Sequence, residues 1–348
     1  MTTTSAPPGS YPADGGRAEQ RDLDGLLSDA ELPAALERLT ATADSLARAV
    51  DRVIQGKDET VRLALTVLFA EGHLLVEDVP GVGKTMLAKA LARSISGTVR
   101  RIQFTPDLLP SDVTGSSVWN QEHGEFEFRP GVVFANVVIG DEINRASPKT
   151  QSALLECMEE GQVTVDGTTW GLQRPFIVFA TQNPIEMDGT YPLPEAQRDR
   201  FMARISMGYP SVDAELTMLS AHGQTAPLDA LGPVVDASEV RELTRAVRGV
   251  HAAEALKQYV VDLVRRTRSH PDLRLGASPR AALHLLRAAR SRAALDGRDH
   301  VLPDDVQALA VPVVAHRLLL TADAQLSGRD GADVVLDVLR TTALPSPR

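Results

Sequence analysis

The chain has 348 residues, of which 43% are hydrophobic and 24% are charged, as expected for a folded globular protein of about two domains. Its 36 basic and 46 acidic residues give a net charge of -10, and only 4% of its residues are aromatic, so a general nucleic-acid-binding protein is disfavoured. A single cysteine, Cys157, excludes an internal disulfide, and the lack of a secretory leader and of an apolar stretch of roughly 18 residues predicts a soluble, cytoplasmic protein.

Three regions follow one another along the chain. Residues 1–30 contain few large apolar side chains and are predicted to be a disordered tail. Residues 31–209 alternate short apolar runs with helical patterns, which predicts an α/β core. From residue 210 to residue 348 the strand-like runs disappear and Ala, Leu and Arg recur at helical spacing, which predicts an all-helical second domain.

The core is expected to contain a mostly parallel sheet covered by helices on both faces, because short strands that read as buried alternate with helices. Two further segments, 119–128 and 163–170, alternate around turn residues and predict inserted β-hairpins. The predicted strands are 74–76, 101–104, 137–139, 176–180 and 204–207; the predicted helices are 32–54, 58–70, 85–95 and 149–160 in the core and 213–222, 238–249, 254–268, 279–295, 303–320 and 331–340 beyond it.

The segment 80–85 (PGVGKT) lies between a predicted strand and a predicted helix, which is the context of a phosphate-binding loop. Its glycines let the backbone curl so that successive N–H groups point at phosphate oxygens, and the following helix N-terminus adds its positive dipole end. Lys84 supplies a cation for the β- and γ-phosphates, and Thr85 supplies a hydroxyl ligand for Mg²⁺. The residues expected to bind the nucleotide are Gly81, Val82, Gly83, Lys84, Thr85 and Met86.

One position departs from the full G-x-x-x-x-G-K-[ST] pattern. Asp78 stands where the first glycine of that pattern is expected. That glycine lies at the strand exit rather than beneath the phosphates, so the loop is still expected to bind phosphate.

Two predicted strands end in polar residues suited to Mg²⁺ and water. Asp141 and Glu142 follow the strand 137–139, at the edge where open α/β sheets bind ligands. Asp141 is expected to hold Mg²⁺, mostly through water, and Glu142 to orient or deprotonate the water that attacks the γ-phosphate. Asn183 follows the strand 176–180 and is placed to reach the same water or the γ-phosphate.

With these features in this order, the chain resembles the AAA+ ATPases and, within them, the MoxR family, over about residues 35–340. The resemblance implies a P-loop NTPase core with β-hairpin inserts, followed by an all-α lid. It is carried by four stretches, of which the second and the last are the specific ones: 77–85 (EDVPGVGKT), 141–146 (DEINRA), 180–184 (ATQNP) and 193–201 (LPEAQRDRF).

The resemblance also implies roles for single residues. Asn183 corresponds to the sensor 1 residue of the family. Arg200 corresponds to the arginine finger that reaches the γ-phosphate of a neighbouring subunit, and Arg280 to sensor 2, which projects from the lid back to the nucleotide. Arg198 and Arg145 stay open as alternative fingers.

Three further assignments follow from the resemblance. Gln55 and Gly56, just ahead of the helix 58–70, are expected to approach the adenine. The hairpin 119–128 corresponds to the helix-2 insert of the family and the hairpin 163–170 to its pre-sensor-1 hairpin. Both hairpins are expected to line a pore or to face a substrate.

These features and the resemblance predict a Mg²⁺-dependent AAA+ ATPase that works as a hexameric ring. The resemblance further implies that it remodels or matures a protein client, with a partner that carries a von Willebrand factor A domain. A metal-chelatase motor subunit, a nucleic-acid-stimulated AAA+ motor and a nucleotide-gated scaffold without turnover remain as alternatives. Nucleic acid is disfavoured as a partner although the segment 265–298 holds nine arginines, since such a run is more often a solvated helical face. A protein-held transition metal is not expected, because the histidines lack ligand spacing.

Overall fold

The protein is described from a computed structural model. The structure describes residues 27–345 except 29, 79–80, 184–189, 211, 213–214 and 217–226. Almost all of the expected tail (1–30) and most of the expected helix 213–222 therefore lie outside the described residues, as do positions 79 and 80 of the phosphate loop.

The first part of the chain alternates strands with helices, as expected. In chain order it contains α1 (Leu32–Asp51), α2 (Asp58–Phe69), β1 (Leu74–Glu77), α3 (Lys84–Ser94), β2 (Val99–Gln103), α4 (Pro110–Thr114), β3 (Gly115–Asn120), β4 (Glu125–Pro130), β5 (Val137–Asp141), α5 (Pro148–Glu160), β6 (Gln162–Val165), β7 (Thr168–Gly171), β8 (Ile177–Gln182), α6 (Glu195–Arg198) and β9 (Ala203–Ile205). The short helices α4 and α6 are additions that the apolar pattern did not predict.

Five of these strands form one parallel sheet in the order β2-β5-β8-β1-β9. Alternate residues of a strand point to opposite faces, and the sheet is buried on both. Ile139 of β5 packs in the apolar cluster that holds α1 and α3, whereas its neighbour Val138 packs in a second cluster with Leu154 and Leu155 of α5. The predicted α/β core with a parallel sheet is therefore confirmed.

Parallel strands give the sheet two chemically different edges. All five strands end on one side, which we call the carboxyl edge, and begin on the other, the amino edge. Helix α5 begins near the carboxyl edge and runs back, because its Met158 carbonyl oxygen lies 3.0 Å from Nε2 of His73, the residue that precedes β1. The end of α5 thus lies at the amino edge.

The predicted bounds of the five sheet strands each differ from the observed ones by one or two residues, and two of these differences have a physical reason. Strand β2 is Val99–Gln103 rather than 101–104; it lies at the edge of the sheet, so the exposed Arg100 and Arg101 are tolerated in it. Strand β9 is Ala203–Ile205 rather than 204–207, because the residues after Ile205 turn to bond a side chain of the phosphate loop instead of a neighbouring strand.

The inserted hairpins are confirmed, and both are longer than predicted. Strands β3 and β4 pair over 115–130, and β6 and β7 pair over 162–171. Phe128 of the first hairpin stacks on Trp170 of the second, with ring centroids 4.5 Å apart and an interplanar angle of 11°. The two inserts are therefore in contact with each other.

The last part of the chain is helical, as predicted, and the structure adds one small two-stranded sheet to it. It contains α7 (Ala237–Gly249), α8 (Glu254–Arg268), β10 (Leu273–Leu275), α9 (Pro279–Leu295), α10 (Pro303–Val314), β11 (Leu319–Leu320), α11 (Ala322–Leu326) and α12 (Gly331–Thr341). Strands β10 and β11 form a small antiparallel sheet.

The predicted helix 303–320 accordingly ends early, at Val314, and a 3₁₀ turn follows at Ala315–Arg317. An apolar run such as 313–320 does not distinguish a buried helix from a buried strand by its periodicity, and here pairing with β10 decides. The apolar cluster of α1 continues into α7, α9 and α12, so the helical part packs against the α/β part. None of the described helices combines the length and the apolar character that crossing a membrane requires.

Candidate nucleotide site

The phosphate loop begins a helix at the carboxyl edge. Gly81 and Gly83 have φ of +85° and +96°, a region that favours glycine, and Gly83 immediately precedes α3. The first N–H groups of a helix have no partner inside it, so those of Lys84 and Thr85 are free of intrahelical bonds. The N–H of Met86 already donates to the Gly83 oxygen at 2.9 Å. The loop thus presents backbone donors and the positive end of a helix dipole to one space.

Lys84 lies between the loop and the acidic residues. Its ammonium Nζ donates to the backbone oxygen of Asp78 at 2.7 Å. Burial lowers the pKa of Lys84, while the carboxylates of Asp78, Asp141 and Glu142 oppose that shift. The Lys84 ammonium therefore interacts electrostatically with the acids at the end of β5.

Asp78, the residue in place of the first glycine, fastens the loop to the end of β9. Its Oδ2 accepts hydrogen bonds from Ser206 Oγ at 2.9 Å and from the N–H groups of Met207 and Gly208 at 2.6 and 2.7 Å. A glycine could not make these bonds. The side chain contacts the residues that follow β9, so the departure from the pattern is a structural anchor.

Asp141 ends β5 and is buried at the carboxyl edge. Its Oδ1 accepts hydrogen bonds from Thr85 Oγ1 at 3.4 Å and from Thr181 Oγ1 at 3.3 Å, and its Oδ2 accepts one from Arg101 Nε at 2.6 Å. The loop hydroxyl and the strand carboxylate, predicted from distant parts of the sequence, therefore face each other as an all-oxygen pair.

Glu142 follows directly in a left-handed backbone conformation, with φ of +57°, that non-glycine residues rarely adopt. Its N–H donates to Thr181 Oγ1 at 3.0 Å, which stabilises the turn from the neighbouring strand. Its Oε2 accepts hydrogen bonds from Gln103 Nε2 and Arg145 Nε, each at 2.8 Å. The carboxylate is thus held at the carboxyl edge by two donors.

Asn183 and the turn at Gln55–Gly56 also lie on this side of the sheet. Asn183 directly follows β8, which pairs with β1, and is buried. The turn approaches the loop through Ile54, whose Cδ1 would lie 3.7 Å from a Cβ built on Gly83. The structure therefore gathers the loop, the acid pair, Asn183 and this turn at one edge.

The two arginines expected to bind phosphate lie elsewhere, at the amino edge. Arg200 Nη2 is 3.2 Å from Oε2 of Glu159, and Arg280 Nη2 contacts the other oxygen of the same carboxylate. Arg280 Nη1 is also 3.8 Å from Oδ2 of Asp199. Glu159 lies in the last turn of α5, next to Met158, which contacts His73 just before β1. This cluster is therefore separated from the phosphate loop by the length of β1, about 10 Å or more at ~3.3 Å per residue.

One expectation is corrected by this placement. Arg280 does not project to the nucleotide position of its own subunit; it shares Glu159 with Arg200. Of the alternative fingers, Arg145 lies at the carboxyl edge on Glu142 of its own chain. Arg198 lies in α6, on the chain leading to Arg200.

Sequence reasoning missed three polar residues of the site. Thr181 bonds both Asp141 and Glu142, Arg101 bonds Asp141, and Gln103 bonds Glu142. A signal was available: Thr181 and Gln103 stand near the carboxyl ends of predicted strands, where a parallel sheet collects its ligand-binding side chains.

Comparison with known proteins agrees with this arrangement. Residues 73–203 match the sequence profile of the family described as "ATPase family associated with various cellular activities (AAA)", and residues 265–338 match an "AAA lid domain". The chain is 50% identical over 299 residues to the uncharacterized protein YeaC of Bacillus subtilis, which covers 86% of this chain and 93% of that protein. It is 43% identical over 326 residues to the chaperone MoxR1 of Mycobacterium tuberculosis, with 90% and 86% covered.

A solved structure has the same fold. The crystal structure of an ATPase candidate from Cytophaga hutchinsonii superposes with a TM-score of 0.84 at 35% identity, over 95% of this chain and 100% of that one. Fold, motif order and relatives thus agree over nearly the whole chain.

Proposed function

The chain belongs to the MoxR family of AAA+ ATPases, and we propose that it hydrolyses ATP as a closed ring in which each nucleotide site is completed by the neighbouring subunit. The observation that carries this proposal is the separation of the site into two halves. The phosphate loop and the acid pair lie at the carboxyl edge, and Arg200 and Arg280 lie at the amino edge of the same chain. A head-to-tail contact between copies brings opposite edges together, and such contacts form a ring when the rotation between copies closes.

Within one subunit, the residues of the carboxyl edge bind ATP and prepare the water. The N–H groups after Gly83 and the Lys84 ammonium bind the β- and γ-phosphates. Glu142 accepts a proton from the attacking water, and Gln103 and Arg145 hold its carboxylate in place. Asn183 orients the same water from the adjacent strand, and the turn at Gln55–Gly56 borders the adenine.

Mg²⁺ fits the oxygen pair of this edge. The Thr85 hydroxyl oxygen and the Asp141 carboxylate oxygen, 3.4 Å apart, are hard oxygen donors and are the groups that would hold the ion. The ion, when bound, neutralises charge on the β- and γ-phosphate oxygens. Arg101, which donates to the other Asp141 oxygen, keeps that carboxylate oriented.

The neighbouring subunit supplies the cations that stabilise transferred charge. Arg200 acts as the arginine finger, and Arg280, on the same carboxylate, acts beside it on the same γ-phosphate. Guanidinium groups suit this role because they stay charged and donate bidentately. In this arrangement Glu159 binds both arginines before the subunits meet. At the interface the arginines release Glu159 and bind phosphate oxygens instead.

The work of the ring is the remodelling of a protein client, together with a partner that carries a von Willebrand factor A domain. The similarity to a protein named as a chaperone supports this assignment. So does the first hairpin, where Trp119 and Phe126 are 51% and 70% exposed and contact each other edge to face. Exposed aromatic residues at the tip of an insert suit contact with a polypeptide. We assign residues 31–209 to the core and 210–348 to the lid.

The ring is tested by mixing two inactive variants. Lys84→Ala subunits cannot bind ATP productively but keep a native Arg200, whereas Arg200→Ala subunits have the reverse defect. In an equimolar random ring about one quarter of the interfaces join an intact loop to an intact finger, so the mixture should regain roughly that share of the native rate. A rate no greater than the sum of the two variants contradicts the shared site.

The client is tested by affinity capture. Glu142→Gln subunits with ATP should retain both ring and client, because binding is intact and turnover is blocked. Recovery of a lone subunit, with no protein bound in an ATP-dependent manner, would contradict the remodelling proposal. Lys84→Ala subunits with ATP are the matched control, since they should retain no client.

A further inference from the structure

A buried arginine of the lid holds the residues on both sides of Arg200. Arg317 belongs to the turn after α10 and is 3% exposed. Its Nη1 lies 3.2 Å from Oδ1 of Asp199, and its Nη2 donates to the backbone oxygen of Phe201 at 2.5 Å. The Arg317 guanidinium thus contacts the side chain of the residue before Arg200 and the backbone of the residue after it.

The surroundings of Arg317 leave it little freedom. Its Nη2 also lies 2.6 Å from Nδ1 of His284, whose pKa burial and the nearby Arg317 lower to about 2, so this imidazole is neutral and accepts the hydrogen bond. Burial likewise lowers the pKa of Arg317 to about 10, which leaves it charged at neutral pH. A buried charge is costly unless it is paired, so the contact with Asp199 persists while the fold is intact.

Two further lid groups hold the same carboxylate. Ser278 Oγ, just before α9, lies 2.8 Å from each oxygen of Asp199, and Arg280 Nη1 approaches it at 3.8 Å. The Asp199 side chain is therefore contacted by lid groups, while its N–H donates to the Glu195 oxygen at 3.0 Å. The Arg200 side chain contacts Glu159, and its N–H donates to the Gln197 oxygen at 3.2 Å.

The position of the Arg200 guanidinium determines how much it raises the rate of ATP hydrolysis. Catalytic groups must be held to a fraction of an ångström, and a 1 Å misplacement costs about 10²-fold in rate. The backbone at 199–201 sets where the Arg200 side chain begins, so whatever holds this backbone sets the reach of the finger across the interface.

We propose that Arg317 is a positioning residue for Arg200: by clamping Asp199 and Phe201 to the lid, it makes the lid and the finger of one subunit move as a unit toward the neighbour's nucleotide. This inference rests on the proposed trans-acting role of Arg200. Its consequence is that a lid residue of one subunit controls kcat at the site of the next. The nucleotide site of its own subunit is unaffected by Arg317.

The test uses the variant Arg317→Met in the full-length chain. Alone, it should lower kcat about 10-fold or more while KM for ATP changes less than about threefold, because the loop and acids of each subunit are intact. Mixed with Lys84→Ala subunits, which carry a native finger and a native Arg317, it should regain activity as Arg200→Ala does. Arg317→Lys should fall between, since an ammonium keeps the charge but cannot span both partners.

Controls separate a positioning role from a loss of fold. Arg329→Met removes another lid arginine, which bonds Asp272 and Asp337 away from the finger, and should keep native kcat. If Arg317→Met does not fold, Asp199→Asn, which weakens the same clamp with an isosteric side chain, carries the same mixing test. Ring size by light scattering accompanies each rate.

Each outcome of the mixing test decides one proposal. If Arg200→Ala regains activity with Lys84→Ala and Arg317→Met does not, Arg317 is not a positioning residue for the finger. If neither regains activity, the shared site itself is wrong. If both regain activity and Arg317→Met alone has lowered kcat, the clamp is supported.

Discussion

Asp78 accepts the backbone N–H of Met207 at 2.6 Å and so joins the start of the phosphate loop to the end of the outermost strand of the sheet. The same carboxylate oxygen accepts the next N–H, of Gly208. The loop in many nucleotide-binding folds has a glycine here; this chain instead uses the position to hold two elements together. The anchor explains why β9 stops at Ile205, because the following N–H groups are committed to a side chain.

Asp78→Ala should destabilise the protein and loosen the loop. It leaves two buried or half-buried N–H groups without their acceptor, at about 1–3 kcal/mol each. We expect a loss of about 2–4 kcal/mol in the free energy of unfolding, measured by urea denaturation. Asp78→Asn keeps one acceptor oxygen and should lose clearly less. Asp78→Gly, which restores the general pattern, should be as unstable as Asp78→Ala; a glycine variant of native stability contradicts the anchor.

Glu142→Gln should abolish turnover and keep nucleotide binding. The amide cannot accept a proton from water, so kcat should fall about 10²- to 10⁴-fold while ATP affinity changes little. Gln103→Met removes one of the donors to this carboxylate and should lower kcat much less. Rapid-quench hydrolysis and equilibrium binding of a fluorescent ATP analogue measure both quantities. Native kcat in Glu142→Gln would indicate a nucleotide-gated scaffold or another base.

Lys84→Ala should weaken ATP binding about 10- to 100-fold, because a charge-assisted hydrogen bond to phosphate contributes about 1.5–3 kcal/mol. Lys89→Ala is the matched control, since Lys89 lies on the same helix beyond its first turn. Isothermal titration with ADP and with ATP separates the β-phosphate from the γ-phosphate contribution. Unchanged affinity in Lys84→Ala would overturn the nucleotide site.

Acid should destabilise the fold through its buried histidines. His73 is fully buried; its Nδ1 accepts from the Val178 N–H at 3.1 Å, and burial lowers its pKa to about 4. Its pKa in the unfolded chain is about 6.5, so the unfolded state binds the proton first. The stability that neutral His73 contributes is complete above pH ~6.5 and is lost as the pH falls toward 4, at up to about 1.4 kcal/mol per pH unit.

The measurement is urea denaturation between pH 7 and pH 4.5. His73→Asn keeps an acceptor for the Val178 N–H and should have a shallower loss of stability with falling pH than the native protein, by about one bound proton. His123→Asn, in the exposed turn of the first hairpin, should leave the slope unchanged. An identical slope in native protein and His73→Asn contradicts the buried-histidine explanation.

The exposed aromatic pair of the first hairpin should contact the client, and its replacement should leave the fold intact. Trp119→Ser with Phe126→Ser removes the edge-to-face contact, worth about 0.5–1.5 kcal/mol, at the surface. In the Glu142→Gln background, the double variant should capture less client at an unchanged basal ATP affinity. Leu326→Ser, at another highly exposed apolar position, is the control. Undiminished capture would assign the client contact to another surface.

Much of the candidate site could be predicted because it depends on residues that are close together in the sequence. The loop 80–85 needs glycines and a lysine in a short stretch, and Asp141, Glu142 and Asn183 each directly follow an apolar strand. Since parallel strands end at one edge, their order along the chain already implied that these side chains meet. The two hairpins were likewise signalled by their own turns.

The predictions that were wrong concern competition between distant segments. The run after Val314 became a strand because Leu319 and Leu320 found partners in β10, and β9 ended early because Asp78 took its next N–H groups. A single sequence gives no measure of which distant partner an apolar run will choose.

By itself, therefore, the sequence determined the fold class and the half of the site that lies at the carboxyl edge, because short-range geometry and strand direction suffice for both. Only the tertiary structure decided where the arginines lie. Arg200, Arg280 and Arg317 come from separate segments and meet around Glu159 and Asp199 at the amino edge. Long, charged side chains take their positions from the carboxylates that the packed helices bring within reach, and that packing is a property of the whole chain.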